Sequence, residues 1–293
     1  MPISPTGCAD PQLASIARPD EGAPGRPETH TQDLKHDLKK DKTMNFYRSA
    51  ALVTACSLAG ASGAAAEGLF SNGQFTLGLG AFASSDLYKG ESTEAAALPF
   101  VSYDSDRLHL GWDGVAYHIL NSEDLQVSVR VGAGEKPDYP ENKPLFAGLK
   151  RSTPIEAGFD MTYRFDGFYV AGSAMVDVSN EHDGYHAEAK FGTEFQMGQL
   201  GVDIGAGARM RDGKLNNFLY GVSASEASAQ RAAYDVGSTT EPFVDMTMVY
   251  PISDTLSVLG TVNYQLIDKK VHDSPLTNTK DSYSVGLGLI YSF

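Results

Sequence analysis

Three histidines and two aspartates are the side chains best suited by type to chemistry: His182, Asp183 and His186 within Asn180-Glu181-His182-Asp183-Gly184-Tyr185-His186, and the pair His272-Asp273. Beside a serine, such groups form the relay of a hydrolase; two histidines at i and i+4 also resemble a metal-binding pair. A helix would stack those imidazoles on one face, whereas the same spacing on a hairpin is not expected to converge. They therefore read as solvated loop groups, and no catalytic, metal-binding or cofactor-binding residue is assigned. Cys8 and Cys56 are the only cysteines, so residues 67–293 contain none. That excludes a disulfide framework, thiol catalysis and cysteine-ligated zinc from this part of the chain.

A second set of charged side chains is scattered along the sequence: Glu156, Asp160, Asp177, Glu188, Glu194, Asp203 and Asp245, with Arg130, Arg164, Lys190 and Arg209. A period of two along the chain puts them on one common face. In the last segment Tyr283, Val285, Leu287, Leu289, Tyr291 and Phe293 share one side, while Ser282, Ser284, Gly286, Gly288 and Ser292 share the other. The same alternation recurs around Phe75 to Ala81, Leu125 to Val131, Ile155 to Phe165, 168–178, Tyr185 to Phe195, Leu200 to Met210, Val244 to Tyr250 and Leu256 to Leu266. Successive side chains of a strand point to opposite faces, so each segment has one apolar face and one small or polar face.

Strand length decides which face meets water. Soluble sandwiches bury the apolar face and favour strands of about five or six residues. Here the longer segments fall within ten to thirteen residues, enough to cross a bilayer at a tilt, and an outward apolar face with an inward polar one is the pattern of an outer-membrane barrel. An open sheet would leave unpaired backbone groups in hydrocarbon, so the sheet must close. The fold expected is all-β: a closed antiparallel transmembrane barrel. Its interior charges read as a salt-bridged, water-containing lumen in preference to a narrow cation-favouring pore.

Connections alternate in length. Asp166-Gly167, Met197-Gly198 and Ser253-Asp254 are tight, whereas 135–152, 179–184, 211–236 and 268–281 are long. Tight turns belong to the periplasmic end and long loops to the exterior. The parity fails only in 86–120, where the apolar face switches across Asp113-Gly114. A bulge or a hidden strand boundary there gives twelve strands, with ten as the alternative.

Residues 1–43 are polar, hold six prolines and show no apolar periodicity, as expected of a disordered or untranslated leader. From Met44 a positive residue (Arg48), an apolar stretch (Ala50 to Ala61) and Ala64-Ala65-Ala66 before Glu67 have the layout of a signal peptide over 44–66, leaving the barrel in 67–293. The run is too short and too rich in small residues for a spanning helix. Val53-Thr54-Ala55-Cys56 loosely resembles a lipoprotein box but lies too near Met44. Residues 1–66 hold 7 of the 23 basic and 7 of the 37 acidic side chains, so the net charge of -14 belongs entirely to the remainder. Such an acidic chain has no surface for nucleic acid.

In the loop 211–236, Ser223-Ala224-Ser225-Glu226 followed by alanines has the form of a capping box and predicts a short helix over or inside the mouth. Tyr220-Gly221-Val222-Ser223-Ala224-Ser225-Glu226-Ala227 with Ala233-Tyr234-Asp235 also resembles a loop signature of the MipA/OmpV family of outer-membrane proteins. Tyr88-Lys89-Gly90-Glu91-Ser92, Leu120-Asn121-Ser122-Glu123-Asp124-Leu125-Gln126-Val127 and Asp273-Ser274-Pro275-Leu276 match in order and spacing, and the resemblance spans 68–293. It implies a non-enzymatic barrel in the outer membrane of a Gram-negative-type bacterium. Such a barrel scaffolds murein metabolism, bringing together a lytic transglycosylase and a peptidoglycan synthase. It further implies that the insertion machinery recognises the terminal aromatic strand ending at Phe293. The alternative from another class is a small diffusion channel.

Overall fold

The computed structural model of the chain describes residues 72–293 apart from 86, 91–94, 138 and 141–142. The leader, the signal peptide and the Ala66-Glu67 junction lie outside the described residues. Twelve antiparallel strands follow one another around a closed barrel: β1 Gln74–Ser84, β2 Ala95–Asp104, β3 Leu108–Gly111, β4 Gly114–Asn121, β5 Leu125–Ala133, β6 Ile155–Phe165, β7 Phe168–Asp177, β8 Tyr185–Met197, β9 Leu200–Arg211, β10 Thr239–Pro251, β11 Leu256–Leu266 and β12 Asp281–Ser292. Closure joins β1 to β12 from Thr76↔Ser292 to Ser84↔Ser284. A backbone pair at Phe75 and Phe293 ends the seam.

The period-two alternation becomes the two sides of this wall. Leu79 (60%), Phe159 (54%), Val285 (44%) and Leu287 (64%) are exposed on the outside. Thr76, Ser102, Ser128, Lys190, Asp203, Arg209 and Thr247 are buried on the inside. An apolar outer band this continuous is stable only in lipid. Aromatic rings mark its edges. Tyr163, Phe165, Phe168 and Phe191 form a run of ring contacts near the short-turn end, and Tyr264 lies opposite Tyr283 toward the long-loop end.

The break in parity at 86–120 is a hidden strand boundary. Trp112 and Asp113 form a tight turn, with Gly111↔Gly114, Leu110↔Val115 and Leu108↔Tyr117 paired across it. Gly114 has φ +119°, and a Cβ there would lie 2.2 Å from the Val131 carbonyl oxygen, so both the backbone conformation and the neighbouring strand require glycine. A register shift between His118 and Leu120 adds a bulge in β4. The extra hairpin restores even parity, and twelve is the correct count. Its strands are shorter than the ten to thirteen residues expected, with four in β3 and eight in β4. At the other end, Asp166 (φ 50°) and Gly167 (φ 83°) are both left-handed, as a two-residue hairpin turn demands.

Loop 212–238 does hold a short helix, but its position differs from that expected. The helix, α1, spans Gly213–Tyr220. Residues 223–227 form a single turn in which the capping box is made, Glu226 accepting from the Ser223 N–H at 3.0 Å and its hydroxyl at 2.8 Å, without a helix following. The helical signal was present upstream: Asp212 caps the Leu215 N–H, and Leu215, Phe218 and Leu219 have the i, i+3, i+4 spacing of one buried face. A second, four-residue helix, α2, spans Lys269–His272.

Candidate functional site: a capped mouth above a charge-paired lumen

All the long loops except 178–184 contribute to one apolar core over the barrel mouth. Tyr88, Phe146, Leu149, Leu215, Phe218, Leu219, Tyr220, Val222, Val236, Val271 and Leu276 are buried together, from four loops widely separated in sequence. The helix α1 lies at its centre. Eight residues are too few to hold a helix in isolation, and its last carbonyls need partners. Those partners come from the other loops: Tyr88 and Tyr139 hydroxyls donate to Leu219 O (3.2 and 3.0 Å), Arg151 Nε to Phe218 O (3.0 Å) and Ser274 Oγ to Tyr220 O (2.6 Å). Lys89 Nζ donates to Pro275 O at 2.9 Å. Three of the four motif segments singled out in the sequence, around Tyr88, Tyr220 and Ser274, thus lock the cap together. Leu120 to Val127 instead forms a turn at the opposite end, where Asn121 Nδ2 donates to Asp106 O (3.0 Å).

The inward charges pair in discrete clusters along the inner wall, mostly between neighbouring strands. Arg130 binds Asp160 (2.9 Å) and Asp113 (3.0 Å), and His109 sits between Asp104 (2.6 Å) and Asp113 (3.0 Å). Lys190 reaches Asp245 at 2.7 Å and Asp203 at 3.3 Å, and the Tyr169 hydroxyl donates to Asp203. Higher up, Arg209 binds Glu188 (2.8 Å), while Arg211 binds Glu135 (2.8 Å) and Glu241 (2.5 Å). Burial would raise the Glu135 carboxyl, but Arg211 and Arg209 outweigh it and hold the group at about 2. Of the residues expected inside, Asp160, Glu188, Asp203, Asp245, Arg130, Lys190 and Arg209 are brought into these contacts, while Glu156 meets His182 and His186. Asp177 instead turns to its own loop, accepting from Ser179 N, His182 N and Asp183 N. Arg164 and Glu194 lie toward the short-turn ends of β6 and β8.

Arg211, Glu241, Glu135, Asp104 and His109 were not identified in the sequence. Arg211 is one residue beyond the alternating segment Leu200 to Met210, on the same face as Arg209, and Glu241 is four residues before Asp245, on its face but ahead of the segment Val244 to Tyr250. His109 belongs to the hidden hairpin, and Asp104 ends β2 opposite it.

The histidine pair corrects the expectation that a hairpin would hold its members apart. His182 Nε2 and His186 Nε2 lie 3.2 and 3.1 Å from the two oxygens of Glu156. Gly184 N donates to His182 Nδ1 (3.0 Å), which assigns the His182 proton to Nε2. With both nitrogens engaged and the ring 5.3 Å from that of Phe218, His182 serves to pin the 178–184 loop. His272 Nδ1 donates to Thr279 O at 3.1 Å and Asp273 pairs with Lys269, so each polishes its own loop. Among the described residues no group of three or more metal-ligating side chains is placed to hold an ion.

A closed barrel with an apolar outer band, two aromatic edges and a charge-paired lumen is an integral outer-membrane protein. The chain belongs to the family described as MltA-interacting protein MipA, whose model matches residues 77–293. Relatives include the outer membrane protein Omp26La of Vibrio anguillarum, 25% identical over 75% of this chain and 87% of that protein. The MltA-interacting protein of Escherichia coli K12 is 22% identical over 75% of this chain and 91% of that protein. Among solved structures, a loop L8 deletion mutant of OmpT, an outer membrane protein of Vibrio cholerae, is similar over 75% of this chain and 99% of that one, at 9% identity and a TM-score of 0.37.

Proposed function

We propose that this barrel is a non-enzymatic scaffold that holds a lytic transglycosylase and a peptidoglycan synthase at the inner surface of the outer membrane. The observation that favours a scaffold over a diffusion channel is the packed cover of loops at the barrel mouth. A buried apolar cap covers the mouth, and beneath it Arg209 and Arg211 tie β8, β9, β10 and the 134–154 loop together through Glu188, Glu241 and Glu135. The relative from E. coli named for its interaction with MltA supports a transglycosylase as one partner. Murein lies on the periplasmic side, so contact is assigned to the short-turn end, where Asp106, Glu123, Asp124, Asp166 and Asp254 stand in or beside the turns. The motif Leu120 to Val127 lies on that same face.

Crosslinking in native envelopes followed by affinity capture tests the reading. Capture should recover murein hydrolase and synthase, and Glu123→Lys with Asp124→Lys should reduce recovery while leaving the barrel folded. Planar-bilayer recording addresses the channel alternative: wild-type protein should give little or no sustained current. Steady currents whose cation preference falls in Asp160→Asn and Glu188→Gln variants would favour the channel.

A further inference from the structure

The wall of the barrel is not equally tall all the way round. β2 meets β3 only at Tyr103↔Leu110 and Asp104↔His109, yet β2 continues toward the outer rim as far as Ala95. β3 and β4 turn back at Trp112-Asp113, and β5 has only Gly132 and Ala133 beyond its last pair with β4, Val115↔Val131. Between β2 and β5 the wall therefore lacks the upper part of two strands. Lower down, those strands hold β2 and β5 apart by three spacings of about 4.8 Å. The gap lies toward the long-loop end, on the side of the outer leaflet.

The bonding pattern shows which groups border the gap. Phe75 and Phe293 exchange hydrogen bonds, so the odd residues of β1 serve β12 and the even ones serve β2, through Gly78↔Phe100 and Gly80↔Leu98. The odd residues of β2 therefore turn the other way: Tyr103 toward Leu110, and above it Val101, Pro99 and Ala97 toward the gap. Among the described residues no backbone group bonds to those three on that side. Such an edge is tolerated at membrane depth only beside a water-containing cavity, here the lumen. Pro99 has no N–H to offer, so a strand from another chain would gain no continuous ladder there. Behind the edge the inner wall is apolar. Phe100 lies on Gly78, and Phe82 on Gly80 and Gly286, where a Cβ would fall 1.9 to 2.7 Å from the ring. Leu98 shares this face and is half-buried. Trp112, at the lower lip, is 40% exposed with its ring 6.4 Å from that of Phe82. The ion pairs of Asp113 with His109 and Arg130 stand at the turn and below it.

We infer that this gap is a lateral port, at which the alkyl chain of a single-chain amphiphile leaves the outer leaflet and lies against Phe82, Leu98, Phe100 and Trp112. The port is continuous with the lipid-facing band of the barrel, and the loop cap covers the mouth above it, so the bilayer is the source of what enters. The rings take the apolar chain out of contact with water, while the open edge at Ala97, Pro99 and Val101 and the water of the lumen receive its polar head. A second copy of the chain, the other candidate to cover an open edge, is opposed by Pro99. The port shares no residue with the periplasmic contact proposed above, and it stands or falls independently of that reading.

Trp112 is the only tryptophan of the chain, so its emission reads the port directly, and bromine quenches tryptophan only at contact range. Purified barrel in unbrominated detergent can be titrated with dibromostearate. Quenching should saturate at about one molecule per barrel and be reversed by excess stearate. Leu98→Arg should weaken the binding about tenfold by placing a charge on the apolar inner wall, and the milder Leu98→Asn should weaken it less. Leu287→Ala, on the lipid face of β12, should leave it unchanged. The heat-induced shift of the barrel in SDS gels verifies folding of each variant, and size-exclusion chromatography reads the oligomeric state. Quenching that rises without saturating, no quenching at all, equal quenching in wild type and both Leu98 variants, or a dimer in which Trp112 is shielded from dibromostearate would overturn the inference.

Discussion

Arg211 is the charge on which the lumen depends most. Its side chain is 3% exposed and bonded to two carboxylates, Glu135 and Glu241, the latter also accepting from Gln265 Nε2 at 2.7 Å. A buried ion pair contributes little net stability compared with apolar packing, but removing one member leaves the other uncompensated at a cost of about 3–5 kcal/mol. Arg211→Met should therefore lower the temperature at which the folded band is lost in SDS gels by a clear margin. Adding Glu241→Gln to Arg211→Met should recover part of that loss, because one of the two orphaned charges disappears. If the double variant is as unstable as the sum of the singles, the two residues do not act as a pair.

The loops behave as one element because each closes on the helix of another. Removing a single donor, as in Ser274→Ala, leaves Tyr220 O with one fewer partner and should cost about 1 kcal/mol of cap stability, read as faster hydrogen exchange in Gly213–Tyr220. Acid should act on the same unit. The Arg151 side chain, with Ser223, holds the Glu226 carboxyl at about 2, below its ordinary 4.5. A depressed carboxyl stabilises the fold fully above its ordinary value, and that stabilisation is lost as pH falls toward the folded-state value. Glu135 shifts in the same direction for the reason given above. The cap should thus loosen between pH about 4.5 and about 2, measured as pepsin cleavage within 134–154 and 212–238. In Glu226→Gln the acid-dependent increase should be smaller, with more cleavage already present at pH 4.5.

On the scale of the whole molecule, the last residue ends the closing seam. Phe293 exchanges two backbone hydrogen bonds with Phe75 and stacks on its ring at 5.9 Å. Deleting Phe293 opens the short-turn end of the β1–β12 seam and removes the terminal aromatic that insertion machinery is proposed to read. Outer-membrane levels of the deleted protein should fall several-fold relative to wild type, measured by immunoblot of membrane fractions; unchanged levels would argue against both roles. The signal peptide is a further proposal at this scale. N-terminal sequencing of envelope protein should begin at Glu67, and a chain retaining Met44 would contradict it.

Strand identity and facing were legible in the sequence because they are local: alternation at Tyr283 to Phe293 or Ile155 to Phe165 fixes which side chains face lipid, whatever the strand pairs with. Family membership was legible through short motifs, and the inward position of Glu188, Lys190 and Arg209 followed from the same alternation. Three things required tertiary structure. The hairpin at Leu108–Asn121 was ambiguous because β3 has only four residues, too few to establish a period. The pairing of Arg211 with Glu135 and Glu241 joins residues 76 and 30 positions apart, and inward charges at many depths offer several partners until strand register selects one. The cap owes its form to loops whose segments are individually too short to be stable. Gly213–Tyr220 forms a helix, while the stronger capping sequence at Ser223 forms only a turn, because Tyr88, Tyr139, Arg151 and Ser274 satisfy the carbonyls of the first.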